Sequence, residues 1–237
     1  MSCQARLALC ASMGEMSPLQ TGRIVGAALV TAFALIGAPA PLAAAAPCPD
    51  VEVVFARGTF EAPGVGGIGQ SFVDAVRSKA TGKSVSVYPV NYPASTDFPT
   101  AVQGIRDAAN HIEATAASCP NTRIVLGGFS QGAAVAGFVT SEAVPSGASA
   151  EDVPDPMPPD IADHVAAVAL FGKPSPKFMK LIDTPPVEIG ALYAPKTIDL
   201  CIANDPICAG EGDGANHALY NKNGMTDQAA TFVVGKL

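Results

Sequence analysis

The sequence predicts an α/β protein, a three-layer α/β/α sandwich in which helices cover both faces of a central, mostly parallel sheet. Three observations lead to this fold class. Apolar runs of strand length alternate with segments whose apolar residues recur at helical spacing, and this alternation is typical of parallel sheets. The chain has 237 residues, 49% of them apolar, which is enough for one sizeable core. No charge-rich or polar block marks a second domain.

Five apolar runs are the predicted strands. The first is nearly continuous, the second alternates and ends at prolines, and the third leads into a glycine-rich turn. In order, the runs are Val51–Ala56, Val85–Val90, Ile124–Leu126, Val165–Phe171 and Thr197–Ile202. Because ligands bind at the carboxyl ends of the strands in such sheets, we expect a site at that edge.

Four further segments have helical spacing. Their apolar residues recur three or four positions apart and so share one helix face. The segments are Phe72–Ala80, Val102–Ala116, Val135–Val139 and Ala229–Val233. The proline-rich, acidic segment Pro145–Pro159 is predicted to be a surface loop and not a linker, because the chain after it is too short to fold separately.

The first 46 residues are typical of an export signal. The apolar run Ile24–Gly37 follows Arg23 and precedes two prolines and four alanines. Its ~14 residues are short for a bilayer span of about 20, and the prolines argue against the alternative of an uncleaved anchor. We therefore expect residues 1–46 to be a signal peptide with an N-terminal extension, and residues 47–237 to be one secreted domain without a membrane span.

Removal of the signal leaves four cysteines. An even number in an oxidising compartment predicts two disulfides. Of the three connectivities we favour Cys48 with Cys119 and Cys201 with Cys208, because six intervening residues make the second pair a local clip. A zinc site is disfavoured, since no C-x-x-C spacing exists and His217 is the only histidine nearby. We expect no metal.

Two other partner classes are also disfavoured. The formal net charge of −7 argues against nucleic acid, whose phosphates need clustered lysines and arginines. The segment Gly64–Gly69 matches the G-x-G-x-x-G pattern of dinucleotide sites. However, it begins eight residues after the first predicted strand, and no acid follows the second strand to hold a ribose. We expect a flexible loop over the site there, and no cofactor.

The segment Gly128–Gly132 carries the main chemical signal. It has the form G-x-S-x-G, in which a serine stands on a sharp turn between a strand and a helix. With 23 glycines in the chain the pattern alone is weak. A buried strand is predicted before it and a helix after it, as the motif requires, so Ser130 is the candidate nucleophile.

A serine nucleophile needs a histidine base, and the chain has three histidines. His111 lies on the polar face of a predicted helix, where we expect a solvated surface residue. His164 precedes the fourth predicted strand and so belongs to the wrong edge of the sheet. His217 follows the last strand in a loop rich in glycine and asparagine, and it is the predicted base.

The histidine needs a carboxylate, and three aspartates are within reach in sequence. Asp199 lies inside an apolar run, and Asp213 lies in a glycine-rich stretch that we expect to be a solvated turn. Asp205 lies between Cys201 and Cys208, where a disulfide would hold its carboxylate still. The chain order serine, aspartate, histidine is also that of α/β-hydrolases.

Acyl transfer also needs donors for the oxyanion. The N–H of Gln131, the residue after the serine, is one candidate. The second is expected from the loop after the first strand, where Thr59 offers an N–H and a hydroxyl. The alternative for Thr59 is an ordinary turn residue.

With these residues in place, the chain from Pro47 to the C-terminus resembles the cutinases, specifically bacterial cutinase-like serine esterases. The resemblance is carried by Cys48–Asp50, Phe55–Glu61, Gly128–Gly132, Cys201–Cys208 and His217–Tyr220. It implies a lidless α/β-hydrolase with Ser130, Asp205 and His217 as the triad and Thr59 and Gln131 as the oxyanion hole. It also implies the two disulfides favoured above.

The expected function is therefore a secreted, monomeric serine esterase, with cell-wall association a further possibility, that hydrolyses carboxylic esters through an acyl-enzyme. Short- to medium-chain lipid esters or cutin-like esters are the expected substrates. Plant cutin itself is disfavoured, because the chain has no tryptophan, has Thr59 where fungal members usually carry serine, and has a longer Pro145–Pro159 loop than the family suggests. Two alternatives stay open. One is an acetyl esterase acting on polysaccharide, and the other is a catalytically silent secreted binding protein with the same fold.

Overall fold

Five parallel strands form the central sheet in the order β2-β1-β3-β4-β5. They are β1 (Val51–Ala56), β2 (Val85–Pro89), β3 (Arg123–Phe129), β4 (Val165–Phe171) and β5 (Thr197–Leu200). The computed structural model describes residues 47–144 and 153–237. The expected signal peptide and residues 145–152 of the predicted Pro145–Pro159 loop lie outside the described residues.

Helices connect the strands and cover both faces of the sheet. They are α1 (Gly66–Lys79), α2 (Val102–Ser118), α3 (Gln131–Val139), α4 (Pro176–Leu181) and α5 (Met225–Val234). Short 3₁₀ helices cover Phe98–Ala101, Pro159–Asp163, Ala194–Lys196 and Gly214–Ala218. Within the described ranges, no helix is long and apolar enough to cross a membrane.

The core has one apolar layer on each face of the sheet. On one face, Phe55 of β1, Phe72 of α1 and Phe171 of β4 form an aromatic cluster with ring centroids 5.5–6.3 Å apart. Helix α5 packs against the same layer. The other layer joins the sheet to α2 and α3 through Ile112 and Val135. The predicted three-layer α/β sandwich is confirmed.

The strand predictions were correct in number and order, and β1 and β4 have the predicted bounds. Strand β3 is longer than the predicted run, since it continues through two glycines to Phe129. Gly127 is required there by packing: a Cβ at this position would lie 2.8 Å from the ring of Phe55. Helix α4 was not predicted, although Ser175 is its N-cap and Pro176 occupies its first turn, a recognisable start signal.

The expected flexible loop at Gly64–Gly69 was wrong, because α1 begins at Gly66. The helix start is fixed by Glu61, whose Oε1 accepts a hydrogen bond of 2.8 Å from the Gly67 N–H. A carboxylate is stabilising at a helix N-terminus. A Cβ at Gly69 would lie 2.6 Å from the Phe55 ring, so this glycine lets α1 approach the sheet closely.

His111 is not the solvated residue expected from the sequence. Its Nε2 lies 3.0 Å from Glu52 Oε2, and its ring stacks on Tyr88 with centroids 3.4 Å apart. The side chains of His111 and Glu52 are only 23% and 13% exposed. The edge strand β2 is only partly buried. Helix α2 packs against it through the contacts of His111 with Tyr88 and Glu52.

We expect Glu52 to make stability depend on pH. Burial raises its pKa, but the hydrogen bond and the charge interaction with His111, together with hydrogen bonds from Thr115 and Ser86, outweigh burial and hold the pKa below the ordinary value of 4.5. A depressed folded-state pKa stabilises the fold above that ordinary value, and the stabilisation is lost as pH falls through the folded-state value. Glu52→Gln should lower the free energy of unfolding at pH 6 by about 1 kcal/mol and by less at pH 3. Urea titrations at both pH values test this, and an equal difference at both would contradict it.

Residues 47–144 and 153–237 contain two disulfides, and they are the pairs favoured from the spacing. Cys48 and Cys119, with Cα atoms 5.5 Å apart, tie the chain before β1 to the end of α2. Cys201 and Cys208, with Cα atoms 5.8 Å apart, close the loop after β5. The second disulfide frames Asp205, so it bears directly on the candidate site.

Candidate active site

Ser130 stands on a sharp backbone turn between a strand and a helix. Strand β3 ends at Phe129 and α3 begins at Gln131, and Ser130 between them has φ 55° and ψ −120°. Such a conformation is strained for a residue with a Cβ, and strain of this kind is concentrated at functional sites. The Ser130 N–H donates a 2.9 Å hydrogen bond to Phe171 O of β4, which helps to hold the turn.

The glycines on either side of Ser130 are required by close backbone contacts. A Cβ at Gly128 would lie 2.1 Å from Gly132 O, and a Cβ at Gly132 would lie 2.0 Å from Ala56 O. Both separations are far shorter than any contact between non-bonded carbon and oxygen atoms in a folded chain. The turn therefore packs directly on the end of β1.

His217 lies beside the serine. Its Nε2 is 2.8 Å from Ser130 Oγ, and its Nδ1 is 2.7 Å from Asp205 Oδ2. The residue belongs to the 3₁₀ helix Gly214–Ala218, whose first turn is capped by Asp213 through a 2.9 Å bond from the Ala215 N–H. Ser130, His217 and Asp205, distant in sequence, thus form one hydrogen-bonded chain.

Asp205 is fully buried and its carboxylate is held from several sides. Oδ1 accepts a 2.9 Å bond from the Ile207 N–H, and Oδ2 accepts from His217 and from the Tyr220 hydroxyl. The rival carboxylates lie elsewhere: Asp199 is 43% exposed and pairs with Lys173 at 3.3 Å, and Asp213 caps the helix that carries His217.

The two candidate oxyanion residues are neighbours at the serine. Thr59 Oγ1 donates to Gln131 Oε1 at 3.3 Å, and Gln131 Nε2 donates to Ser95 O at 3.0 Å. The two side chains therefore link the loop after β1 to the loop after β2. Both residues line the same groove as Ser130.

Arg57 supports the Thr59 loop and was not singled out from the sequence. The side chain is buried, and its guanidinium donates to Glu61 O at 2.9 Å and to Tyr92 O at 2.6 Å. The Tyr92 hydroxyl donates back to Arg57 O, and Glu61 Oε2 accepts from the Gly58 N–H at 2.7 Å. The loop that carries Thr59 is therefore fixed by buried hydrogen bonds on both sides.

Ser130 opens onto a groove of about 450 Å³ with mainly apolar walls. Only five of the described lining residues are polar, namely Thr59, Ser130, Gln131, Thr184 and His217. Phe60 stands at the rim and is 79% exposed. The apolar lining comes from Phe98, Pro99, Ala101, Val102, Ile105, Ala134, Val135, Phe138, Val153, Pro174, Phe178, Met179, Ile182, Pro185 and Ile207.

Tyr220 is a second residue that the sequence reasoning missed. It is fully buried, and its hydroxyl donates a 2.6 Å hydrogen bond to Asp205 Oδ2. The signal for it in the sequence was its place in the segment His217–Tyr220, which carried part of the family resemblance but gave the tyrosine no role. Among the described residues, no group of three or more His, Cys, Asp or Glu side chains is arranged to hold a metal ion.

A parallel sheet whose central strand ends in such a serine turn, with a histidine and a buried aspartate in line, defines the class of the α/β-hydrolases. Residues 47–237 match the model of the Cutinase family. The chain belongs to the cutinase family, as its motifs suggested, and it is a carboxylic-ester hydrolase.

Several curated relatives are similar over most of their length. Carboxylesterase Culp1 of Mycobacterium tuberculosis is 50% identical over 229 residues, which cover 94% of this chain and 98% of the relative. Probable carboxylesterase Culp5 of the same organism is 58% identical over 71% of this chain and 96% of the relative. Phospholipase Culp4, also from that organism, is 44% identical over 90% of both chains.

Solved structures with the same fold include a cutinase and an acetyl xylan esterase, both of Trichoderma reesei. The cutinase, in complex with a phosphonate inhibitor, has a TM-score of 0.59 and 34% identity over 80% of this chain and 77% of its own. The catalytic core of the acetyl xylan esterase has a TM-score of 0.66 and 24% identity over 81% of this chain and all of its own. The second likeness concerns the fold alone.

Proposed function

We propose that Ser130 is the nucleophile, His217 the general base and Asp205 the orienting acid of a secreted esterase that acts on short- to medium-chain lipid esters. One observation carries the proposal. The hydrogen bonds of 2.7 and 2.8 Å run without a break from the Asp205 carboxylate through His217 to Ser130 Oγ, which faces an apolar groove. Such a chain can activate an alcohol that is otherwise a poor nucleophile.

The reaction follows from these contacts. His217 Nε2 takes the hydroxyl proton as Ser130 Oγ bonds to the ester carbonyl carbon, and Asp205 stabilises the imidazolium through Nδ1. The carbonyl oxygen becomes an oxyanion, for which the Gln131 N–H and the Thr59 N–H are the proposed donors. The Thr59 hydroxyl is the third proposed donor, and it has to turn away from Gln131 Oε1 to donate. The intermediate then collapses, and the alcohol leaves with the proton from His217. Water then attacks the acyl carbon as His217 takes its proton. The bond from that carbon to Ser130 Oγ breaks, His217 returns the proton to Oγ, and the acid is released.

The groove favours an acyl chain over a sugar. A carbohydrate needs many hydrogen-bonding partners, whereas the groove walls offer few polar side chains away from Ser130. The names of the relatives, carboxylesterase and phospholipase, agree with a lipid ester. The acetyl esterase alternative rests on a likeness of fold, which does not determine substrate.

The wild-type protein should prefer longer acyl chains than acetate. Each methylene that enters the groove contributes about 0.8 kcal/mol, so kcat/KM for p-nitrophenyl esters should rise by up to about fourfold per methylene until the groove is filled. Ala101 lines the groove, so Ala101→Phe should cost about tenfold with octanoate and less than about twofold with acetate. Kinetics on an ester series measure both effects.

The matched control for this substitution is Ala114→Phe, because Ala114 is exposed and is not among the groove residues. It should leave the chain-length profile unchanged. A protein that prefers acetate, and that deacetylates acetyl-xylan faster than it hydrolyses tributyrin, would favour the polysaccharide alternative.

Labelling by a fluorophosphonate distinguishes an esterase with Ser130 as its nucleophile from a catalytically silent binding protein of the same fold. The probe bonds only to an activated serine, so stoichiometric labelling at Ser130 is expected, as found by peptide mass spectrometry. Absence of labelling in folded protein would favour the binding protein.

Export is part of the proposal and is supported by the two disulfides, which suit an oxidising compartment. We expect the secreted protein to begin near residue 47. N-terminal sequencing of the protein recovered from the culture medium tests this.

A further inference from the structure

Tyr220 shares one oxygen of Asp205 with the candidate base. The tyrosine hydroxyl lies 2.6 Å from Asp205 Oδ2, and His217 Nδ1 lies 2.7 Å from that same atom. The second carboxylate oxygen accepts from the Ile207 N–H at 2.9 Å. Because Asp205 is fully buried, no water takes the place of a donor that is lost.

The direction of the tyrosine hydrogen bond is settled by its surroundings. The Ile202 N–H donates to the Tyr220 hydroxyl oxygen at 3.2 Å. Two acceptors face the hydroxyl proton: the disulfide sulfur of Cys208 at 3.3 Å, which is a weak acceptor, and the Asp205 carboxylate at 2.6 Å, which takes the proton. Burial raises the pKa of Tyr220 well above its ordinary value, as does the hydrogen bond to Asp205. The hydroxyl therefore stays a donor throughout the pH range in which an esterase works.

The ring of Tyr220 is held rigidly. Its centroid lies 5.8 Å from that of Phe129 and 6.2 Å from that of Phe171, and it meets the His217 ring edge-on at 6.3 Å. Aromatic pairs in these arrangements are favourable beyond the area that they bury. A hydroxyl on such a ring has a fixed position, which makes it suited to orient a neighbour.

We propose that Tyr220 is a positioning residue for the esterase reaction: its hydroxyl holds the Asp205 carboxylate against His217 and limits the negative charge that Oδ2 presents to the imidazole. This inference rests on the proposed function. Without the hydroxyl, only the Ile207 N–H and His217 hold the carboxylate, so its orientation is less firmly fixed and the proton transfer is slower. Its charge is also concentrated on His217, which stabilises the imidazolium and keeps the base protonated to higher pH.

The charged groups that act on Tyr220 are the carboxylates of Asp205 and Asp199. Asp199 is itself paired with Lys173 at 3.3 Å. Replacement of the tyrosine by phenylalanine leaves all three groups in place. A change in pH dependence can then be traced to the lost hydrogen bond.

The test is the pH profile of kcat and kcat/KM for Tyr220→Phe with p-nitrophenyl butyrate. We expect kcat on the pH plateau to fall about tenfold, the worth of one hydrogen bond to a charged group. KM should change by less than about twofold, since Tyr220 is not a groove residue. The acidic limb of the kcat/KM profile should move to higher pH by roughly half a unit.

Tyr193→Phe is the matched control. The Tyr193 hydroxyl is buried and has no hydrogen-bond partner among the described residues, so its removal should leave every kinetic parameter unchanged. Tyr220→Phe also removes the acceptor of the Ile202 N–H. A double-mutant cycle with Asp205→Asn separates this loss from the loss of the hydrogen bond to Asp205. In the Asp205→Asn background, Tyr220→Phe should cost less than about twofold, because its effect passes through the carboxylate.

Two results would overturn the inference. One is a Tyr220→Phe enzyme with the wild-type kcat and acidic limb. The other is a loss of activity that is equally large in the Asp205→Asn background, with no shift of the acidic limb, which would mean that the hydroxyl only supports the loop. A wild-type protein with no esterase activity would contradict the proposed function itself, and that failure is visible before any variant is made.

Discussion

Ser130→Ala is expected to abolish ester hydrolysis while the fold remains intact. In this mechanism Ser130 Oγ forms the bond to the acyl group, and the alanine variant has no atom that can replace it. Loss of the nucleophile in serine hydrolases costs on the order of 10⁶ in kcat, so residual turnover of p-nitrophenyl butyrate should be close to background. The backbone hydrogen bond from residue 130 to Phe171 O is retained, and circular dichroism and thermal unfolding should match the wild type.

The control for this variant is Ser118→Ala. Ser118 lies at the end of α2, and its hydroxyl donates to Ala114 O, away from the groove. Activity should be unchanged. If Ser130→Ala retained more than a few per cent of the wild-type rate, a different nucleophile would be required.

Asp205→Asn should lower kcat by about 10⁴. An amide in place of the carboxylate can turn its NH₂ towards His217 Nδ1, which favours the wrong tautomer and gives no stabilisation of the imidazolium, and the corresponding change in a serine protease has this magnitude. The position is fully buried, so the free energy of unfolding must be measured beside the kinetics. Long, stopped assays with p-nitrophenyl butyrate can measure a kcat that is lower by this factor.

Asp199→Asn is the matched control, since Asp199 was the other aspartate near the end of the last strand. It is 43% exposed and pairs with Lys173, so the variant should keep kcat within about twofold. If the two variants lost activity equally, or if Asp205→Asn had the wild-type rate, the proposed role of Asp205 would have to be abandoned.

Elements with a strong local pattern could be predicted from the sequence. The runs at β1 and β4 are apolar nearly throughout, and their bounds match the structure residue for residue. Strand β3 was too short in the prediction because its last residues include two glycines, and their place in the sheet depends on contacts with Phe55 for Gly127 and with the main chain of Gly132 for Gly128. Helix α4 is only six residues long, too short for a periodic pattern to be detected.

The candidate site could be assembled by elimination because its residue types are few. Three histidines, of which one follows the last strand, left His217, and the flanking cysteines singled out Asp205. Tyr220 and Arg57 could not be found in this way. Their roles depend on hydrogen bonds between segments that lie together only in the folded chain, and nothing in local spacing encodes such contacts. The position of His111 was wrong for the same reason, because its partner Glu52 is 59 residues away.

The contact between Gly132 and the end of β1 has a consequence for how such an enzyme can change. Two stretches of main chain, one with Ser130 and one with Thr59, rest on each other without any side chain between them. Every residue type has the same backbone atoms, so side chains along the groove can be replaced without changing this contact. Such substitutions can change the preferred ester while the distance between the Ser130 turn and the Thr59 loop stays the same. Libraries directed at the groove lining should therefore yield active catalysts often, whereas any side chain added at position 128 or 132 should yield none.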